Sequence, residues 1–234
     1  MQLGARQFFA ARKAAPAWTN PYVTDGLVAM WDGEWNAGGG AHDANATVWK
    51  DLYGTNDLRL YGNCSFGSNK LILGRSNTDA AYVSAENSTT ISSQNGMTVE
   101  YVIHPTAFHD YSALVQFLPY AQSREGWIYR DGNAVPLRWG LNRSNVLLSA
   151  DTPAYVAATI SPPNYVLRYY HDGYASGNSS TAANKSEIVT ISFFGANGYY
   201  FWGDAYCMRI YSRALTAAEI AANYAIDKAR FNLP

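Results

Sequence analysis

The sequence predicts an all-β protein that ends in one short helix. Most of the chain consists of short apolar runs separated by Gly, Asn, Asp and Pro, at the close spacing typical of sandwiches and barrels. Residues 97–105 (MTVEYVIHP) alternate with a period of two, which indicates a strand. A full set of helix signals occurs after residue 215. Together these observations favour one β-sandwich domain.

Composition narrows the class of protein further. With 48% hydrophobic residues, the 234-residue chain can bury a sizeable core, which argues against intrinsic disorder. Charged residues make up 15% of the chain and the net charge is −1, so we expect no nucleic-acid binding. No run of 18 apolar residues occurs, so we expect no membrane insertion. The 18 tyrosines and 7 tryptophans suit strand faces and cores, or an interaction surface.

Strands and turns follow one another along the chain. The first strand is DGLVAMWDG (25–33), between two Asp-Gly turns, and a glycine-rich surface loop (34–47) follows it. In YVLRYYHDGY (165–174) a strand runs into an Asp-Gly turn that can adopt positive φ, which predicts a hairpin. The other predicted strands lie in VWKDLYGTNDLRLYGN (48–63), KLILG (70–74), MTVEYVIHP (97–105), SALVQFL (112–118), GWIYRDG (126–132), VPLRWGLN (135–142), NVLLSAD (145–151), IVTISFF (188–194) and YCMRIYS (206–212).

The predicted helix starts at a capping box. Thr216 is a good N-cap residue, and Glu219 stands three positions later. Leu215, Ile220 and Tyr224, followed by Ile226 or Lys228, are spaced to form a narrow apolar stripe.

These segments, in this order, resemble the laminin-G-like members of the concanavalin A-like lectin/glucanase superfamily. The resemblance covers residues 25–228, and its most specific part is the strand RIYSRAL followed by the helix TAAEIAANY. It implies an all-β, concanavalin A-like jelly-roll β-sandwich of two antiparallel sheets with a short C-terminal helix. In that family the helix closes one end of the sandwich. We therefore expect an N-terminal arm (1–20) and a laminin-G-like domain (21–234).

Catalytic chemistry is not expected, although the fold hosts glycosidases as well as lectins. Glycoside hydrolysis needs two carboxylates flanking the scissile bond, and no strand carries such a pattern. The nearest pair, Asp32 and Glu34 in WDGEW, is interpreted as turn-capping and solvent-exposed. His104, His109 and Asp110 could imitate a metal cluster, but Pro105 favours a solvent-facing loop there.

A structural calcium ion is common among proteins with this resemblance, and Asp51 is the one candidate ligand. The acidic residues that such proteins carry in the last strand are replaced here by Tyr206 and Cys207. We therefore expect no cofactor and interpret Asp51 as a turn-capping residue. Cys64 and Cys207 could pair, but two free buried thiols are favoured.

Sugar binding would need aromatic side chains together with polar groups for the hydroxyls. Alternation places Trp127 and Tyr129 on one face of their strand. Trp35 in the glycine-rich loop is the candidate for which exposure to solvent is most expected. Burial in the core is the alternative for each candidate. The candidates are Trp35, Trp127, Tyr129, Trp139, Tyr199 and Tyr200.

The arm combines aromatic and basic residues without an acid. Such a patch is rarely left uncovered, so we expect residues 1–20 to bind another protein chain in a homo- or hetero-oligomer. The alternatives are an arm that folds back onto its own domain and an arm that is disordered. The residues expected to anchor it are Phe8, Phe9, Arg12, Lys13 and Trp18.

Three functions fit these observations. The first is a non-catalytic virion protein of a phage or prophage, a fibre or capsid-decoration subunit. The second is a bacterial carbohydrate-binding module that is extracellular or at the cell surface and contacts glycans there. The third, an unusual glycoside hydrolase, is disfavoured by the absence of a carboxylate pair.

Overall fold

A computed structural model describes residues 19–74, 81–85, 95–108, 111–118, 127–129, 136–139, 142–181, 190–196 and 199–234. Within these ranges the chain forms one helix, α1 (Ala217–Phe231), and nineteen strands. The strands are β1 (Leu27–Asp32), β2 (Val48–Trp49), β3 (Leu58–Gly62), β4 (Ser65–Phe66), β5 (Leu71–Ile72), β6 (Ala81–Ala85), β7 (Met97–Pro105), β8 (Tyr111–Ala113), β9 (Val115–Leu118), β10 (Trp127–Tyr129), β11 (Pro136–Trp139), β12 (Asn142–Leu147), β13 (Ala154–Ser161), β14 (Val166–His171), β15 (Tyr174–Thr181), β16 (Thr190–Phe193), β17 (Gly195–Ala196), β18 (Tyr199–Tyr200) and β19 (Gly203–Tyr211).

The strands form antiparallel sheets. An eight-stranded sheet has the order β15-β14-β13-β7-β19-β5-β4, with β1 also paired to β19. Opposite it lies a five-stranded sheet in the order β2-β3-β6-β16-β9. A four-stranded sheet has the order β12-β11-β10-β8. It is connected directly to the five-stranded sheet, because only Leu114 separates β8 from β9. This architecture confirms the predicted fold class.

Alternation along β7 and β19 divides the buried side chains between two cores. Val99, Tyr101 and Ile103 face the main core between the sheets, where Leu58 and Phe193 of the five-stranded sheet meet them. The intervening residues of the eight-stranded sheet face the opposite way. There they contribute to a second core beneath α1, which comprises Leu27, Val102, Tyr155, Ala157, Tyr170, Cys207, Tyr211, Leu215, Ile220, Tyr224, Phe231 and Leu233.

Helix α1 begins where the sequence predicted. The Thr216 side chain accepts a hydrogen bond from the backbone N–H of Glu219, whose carboxylate accepts one from the backbone N–H of Thr216. The helix does not close one end of the sandwich, as the resemblance implied. It lies on the outer face of the eight-stranded sheet, because Ile220, Tyr224 and Phe231 pack there. The molecule therefore has a third layer.

The predicted hairpin is also present. Asp172 and Gly173 both have positive φ, 47° and 78°, and they connect β14 to β15. Two positive φ values in a two-residue loop match the twist of the flanking strands. A Cβ on Gly173 would lie 2.6 Å from Cδ1 of Tyr224, so glycine also lets this turn approach α1.

Residues 19–23 lead into the domain. Tyr22 is buried, and its hydroxyl donates to Asp227 of α1 (2.6 Å). The arm residues Phe8, Phe9, Arg12, Lys13 and Trp18 lie outside the described residues. Within the described ranges, no helix combines the length and the apolar character that crossing a membrane requires.

Candidate functional site

A row of three tyrosines lies on the outer face of the five-stranded sheet. Leu58 and Leu60 of β3 pack against the main core, so Arg59 and Tyr61 face outward. Across the pairing of β3 with β6, Tyr61 stands opposite Tyr82. We call Tyr61, Tyr82 and the neighbouring Tyr200 the tyrosine row.

The rings of the tyrosine row stack on one another. The ring centres of Tyr61 and Tyr82 lie 4.8 Å apart with an interplanar angle of 9°, and those of Tyr82 and Tyr200 lie 6.5 Å apart at 24°. The shorter separation equals the usual spacing of neighbouring strands, so the rings stand side by side. Tyr61 is 37% exposed, and the other two are half-buried. The row therefore offers ring edges and hydroxyl groups to solvent.

A break in β16 brings Tyr200 into this row. Phe194 follows β16 with a φ of 64°, and the chain then forms the short β17–β18 pair in which Gly195 faces Tyr200. A Cβ on Gly195 would lie 2.4 Å from Cδ1 of Tyr200 and 2.9 Å from Cβ of Tyr82. Only glycine leaves room at this position for both rings.

A free thiol supports the backbone of the row. The Cys64 Sγ donates to the carbonyl oxygens of Tyr61 (3.1 Å) and Tyr82 (3.6 Å). Burial raises the pKa of this thiol to about 11, so it is neutral and poorly nucleophilic at neutral pH. Cys207 is free and buried beneath α1. The expectation of two free thiols is confirmed, although Cys64 is half-buried.

A polar row runs beside the tyrosine row. Arg59 stands opposite Val48 on one side and Ser84 on the other, and Ser84 stands opposite Ser192. Arg59 is exposed and Ser84 is half-buried. Ser192 is buried and donates to the carbonyl oxygen of Gly195 (3.0 Å), which steadies the turn that carries Tyr200. We call Arg59, Ser84 and Ser192 the polar row.

Five of the six sequence candidates lie in strands, either in the β17–β18 pair or in the four-stranded sheet. Tyr200 belongs to the tyrosine row, and Tyr199 precedes it in β18. Trp127 and Tyr129 lie in β10 and Trp139 in β11, both in the four-stranded sheet, and the side chains of these three residues and of Tyr199 lie outside the described part.

Sequence reasoning missed Tyr61 and Tyr82. The alternation in LRLYG (58–62) could have placed Tyr61 on the outward face, but the pairing partner of β3 was not evident from the sequence.

Trp35, which was expected to be exposed, is half-buried. The guanidinium carbon of Arg230 lies 4.4 Å from the Trp35 ring centre. Such a contact gains from the electrostatic attraction between the cation and the ring. One face of Trp35 is therefore covered by the C-terminal part of α1.

Asp32 is fully buried, which corrects the expectation that it would be solvent-exposed. Its Oδ1 does cap the turn, by accepting from the backbone N–H of Glu34 (2.9 Å). Arg230 donates to Asp32 (2.7 Å) and to Glu34 (3.0 Å). Burial raises the pKa of the Asp32 carboxyl, and the hydrogen bond from Arg230 opposes that rise. A single guanidinium therefore engages both carboxylates.

A buried cluster of charged groups lies beneath α1. Arg209 donates to Glu100 (2.5 Å) and to Asp227, and all three side chains are fully buried. Tyr155 (2.5 Å) and Asn223 (3.1 Å to each oxygen) also donate to Glu100. The hydrogen bonds of this cluster connect α1 to β7 and β19 and thereby hold the helix on the sheet. Because solvent does not reach these groups, the cluster is not a substrate site.

Asp51 organises the turn 51–57. Its Oδ1 accepts from the backbone N–H groups of Met30 (3.0 Å), Tyr53 (2.9 Å) and Gly54 (3.0 Å), and its Oδ2 accepts from that of Asn56 (2.9 Å). Calcium needs six to eight oxygen ligands, whereas the groups around this carboxylate are N–H donors. The surroundings of Asp51 do not fit a calcium site, and the turn-capping interpretation is confirmed.

His104 lies within β7, in the strand that the sequence predicted over residues 97–105, and it is half-buried. Its Nδ1 is 3.5 Å from the buried carboxylate of Asp204, to which Lys70 donates at 2.7 Å. His109 and Asp110 lie outside the described residues. No group of three or more His, Cys, Asp or Glu suited to a metal ion occurs in the part of the chain that the structure describes.

Comparison with known proteins reveals similarity at the level of the fold. No protein-family model matches the chain, and no curated protein sequence matches it either. Among solved structures, Trypanosoma rangeli sialidase is similar to it with a TM-score of 0.65 and 16% identity. The similar region covers 88% of this chain and 33% of the sialidase. The chain thus spans about a third of the length of that enzyme.

Two further structures are similar over most of this chain. Domain 4 of AbnA, a GH43 extracellular arabinanase from Geobacillus stearothermophilus, in complex with arabinotriose, has a TM-score of 0.59 at 15% identity. That similarity covers 85% of this chain and 98% of the domain. The binding domain of botulinum neurotoxin DC, in complex with rat synaptotagmin II, has a TM-score of 0.62 at 11% identity, over 86% of this chain and 51% of that one. These similarities establish a lectin-like β-sandwich fold.

Proposed function

We propose that this chain is a non-catalytic glycan-recognition module that contacts its ligand through the tyrosine row. The observation that carries the proposal is the row itself, three stacked rings on an outward sheet face with Tyr61 exposed. Aromatic rings pack against the apolar C–H groups of sugars, and phenol hydroxyls both donate to and accept from sugar hydroxyls. The side-by-side rings offer their edges for apolar contact and their hydroxyl groups for hydrogen bonds along one line.

The absence of catalysis is part of the proposal and is supported by the state of Asp32 and Glu34. A glycosidase needs one carboxyl as acid and a second as nucleophile or base, both facing the substrate. Here Asp32 is fully buried and Arg230 engages both side chains. A sugar could not approach this pair without first displacing Arg230.

The arabinanase domain supports a sugar ligand by analogy of fold. Its structure holds arabinotriose, and almost its whole length is similar to this chain. The fold alone does not determine function, so this analogy is secondary to the tyrosine row. The virion and cell-surface settings that the sequence suggested stay predictions, as do an arm-bound partner and the more specific laminin-G-like assignment.

The first prediction tests the row directly. We expect the full chain to bind oligosaccharides on a glycan array. Tyr61→Ala should raise the Kd of the selected glycan about tenfold, the equivalent of about 1.4 kcal/mol, because it removes the most exposed ring. Isothermal titration calorimetry with that glycan gives the number.

Tyr174→Ala is the matched control. Tyr174 is 76% exposed in the β14–β15 hairpin, away from the row, so its removal should leave the Kd unchanged. An unaltered Kd in Tyr61→Ala would refute the placement of the site. Hydrolysis of any bound glycan that is lost in Asp32→Asn or Glu34→Gln would refute the non-catalytic assignment.

A further inference from the structure

We propose that the glycan is a linear chain that lies across the strands of the five-stranded sheet, and that the tyrosine row binds successive internal sugar residues of this chain. This inference rests on the proposed function and specifies its ligand class. It starts from the direction of the row, which is not the direction of the strands.

The tyrosine row crosses the strands of the sheet. Strand β6 lies between β3 and β16. Tyr61 of β3 flanks Tyr82 of β6 on one side, through the pairing of these strands. Tyr200 flanks Tyr82 on the other side, because it packs over Gly195, which follows β16. The three rings therefore follow one another from strand to strand, and a ligand that contacts all of them must extend across the sheet.

The spacing of the rings suits a chain of sugars. The ring centres of Tyr61 and Tyr82 lie 4.8 Å apart, and those of Tyr82 and Tyr200 lie 6.5 Å apart. The first of these distances is set by the pairing of β3 with β6, since neighbouring strands lie about 4.8 Å apart. The length that one sugar residue adds to an extended chain falls in the same range. Successive residues of such a chain can therefore meet successive rings.

The ring planes turn gradually along the row. Tyr61 and Tyr82 differ by 9° in orientation, and Tyr82 and Tyr200 differ by 24°. Neighbouring strands of a twisted sheet also turn relative to one another. A linear glycan has rotatable bonds between its residues, so it can follow this turn and keep each residue in contact with a ring.

The row suits the interior of a chain better than its end. Each tyrosine offers a ring edge and a hydroxyl that both donates and accepts, and the row repeats this pair of groups from ring to ring. Internal residues of a linear glycan likewise repeat the same C–H groups and hydroxyls. A single sugar or a chain end is held by a concave pocket, whereas the row projects from a sheet face with Tyr61 37% exposed.

A length series tests this inference. Arabino-, xylo-, cello- and galacto-oligosaccharides of increasing length, from the monosaccharide to the hexasaccharide, are titrated against the full chain by calorimetry. In at least one series we expect the Kd to fall about fivefold for each residue added up to the trisaccharide, because each new residue gains one ring. Beyond the trisaccharide the Kd should change little. Reduction of the terminal sugar of the hexasaccharide to its alditol should leave the Kd unchanged, since the row contacts no chain end.

Variants assign the length dependence to the row. Tyr61→Ala and Tyr200→Ala remove its opposite ends, so in each variant the Kd should stop falling at the disaccharide. Tyr200→Phe keeps the ring and its packing in the turn, and it should retain the dependence up to the trisaccharide. The Tm of each variant shows whether it is folded, and the exposed Tyr61 decides if Tyr200→Ala does not fold. Tyr174→Ala, away from the row, should behave like the wild-type chain.

The outcomes separate this inference from the proposed function. Equal affinity for the monosaccharide and the hexasaccharide, a loss of affinity when the chain end is reduced, or binding on the array to branched glycans alone overturns the linear-chain inference and leaves the proposed function standing. A wild-type length dependence in both Tyr61→Ala and Tyr200→Ala shows that linear chains bind elsewhere, which overturns the role of the row. Failure to bind any glycan overturns the proposed function as well.

Discussion

Arg209 shows how single residues hold the third layer in place. Burial alone would lower the pKa of its guanidinium, but the carboxylates of Asp227 and Glu100 raise that pKa well above its usual value. The guanidinium also lies 4.0 Å from the ring centre of Tyr22. One residue of β19 thereby connects β7, α1 and the segment that precedes β1. A buried charge tolerates the loss of a partner poorly, because the remaining charge has no access to water.

Asp227→Asn should therefore destabilise the protein by about 3–5 kcal/mol, since it leaves Arg209 with one of its two carboxylates. Urea denaturation followed by circular dichroism gives the free energy of unfolding. Asp25→Asn is the matched control, because the Asp25 side chain is 85% exposed and pairs with Arg213 at the surface. Equal losses in the two variants would show that the buried cluster does not stabilise the fold.

At the level of the element, α1 is held at its first turn by charge as well as by its cap. Arg213 donates to both oxygens of Glu219 (2.6 and 3.0 Å), and Glu219 accepts from the backbone N–H of Thr216 (2.8 Å). These hydrogen bonds, those from Arg213 first, lower the pKa of Glu219 to about 2. The start of the helix therefore depends on an ionised carboxylate.

The pH dependence follows from the direction of this shift. Because the pKa of Glu219 is lower in the folded chain than its ordinary value of 4.5, its contribution to stability is present above pH 4.5 and is lost as the pH falls towards 2. At pH 7, Glu219→Gln should cost about 1 kcal/mol. Thermal unfolding of both proteins from pH 7 to pH 2 should show this difference vanish. A difference that stays constant over this range would contradict the assignment.

The same helix shows what sequence can and cannot predict. Its start at Thr216 and the bounds of β7 were predicted, because caps, turns and alternation act over a few residues. The buried roles of Asn223 and Asp227 were not predicted, because they depend on distant partners. Glu100 is 123 residues away from Asn223, and Arg209 is 18 residues away from Asp227. Polar residues on a helix ordinarily indicate a solvent-facing position, and only the partners reverse that expectation.

The tyrosine row illustrates the same limit on the opposite side of the molecule. Tyr200 was a candidate from the sequence, yet Tyr61 and Tyr82 join it only through the pairing of β3 with β6 and the turn at Gly195. Tyr61 and Tyr82 are 21 residues apart in the chain, and Tyr82 and Tyr200 are 118 residues apart. No local pattern in the sequence encodes that proximity.

On the scale of the whole molecule, the two termini of the described chain meet on one face. Tyr22 contacts Arg209 and Asp227, and the backbone N–H of Val23 donates to Asn223 (3.0 Å). Arg230, near the end of α1, donates to the Tyr22 hydroxyl (2.6 Å). Residues 22 and 23 thus pack as part of the domain, so a separable arm must end before Tyr22.

This boundary makes the predicted partner contact of the arm testable. If residues 1–18 bind another chain through Phe8, Phe9 and Trp18, their deletion should abolish association and leave the Tm of the domain unchanged, because the contacts of Tyr22 remain. Light scattering reports the mass, and calorimetry reports the Tm. Tyr22→Ala in the full chain should do the reverse: it should preserve association, where the domain still folds, and lower the free energy of unfolding by about 3 kcal/mol, since it removes a buried ring. A full-length chain that is monomeric, with a Tm that falls when residues 1–18 are deleted, would show that the arm stabilises its own domain and binds no partner.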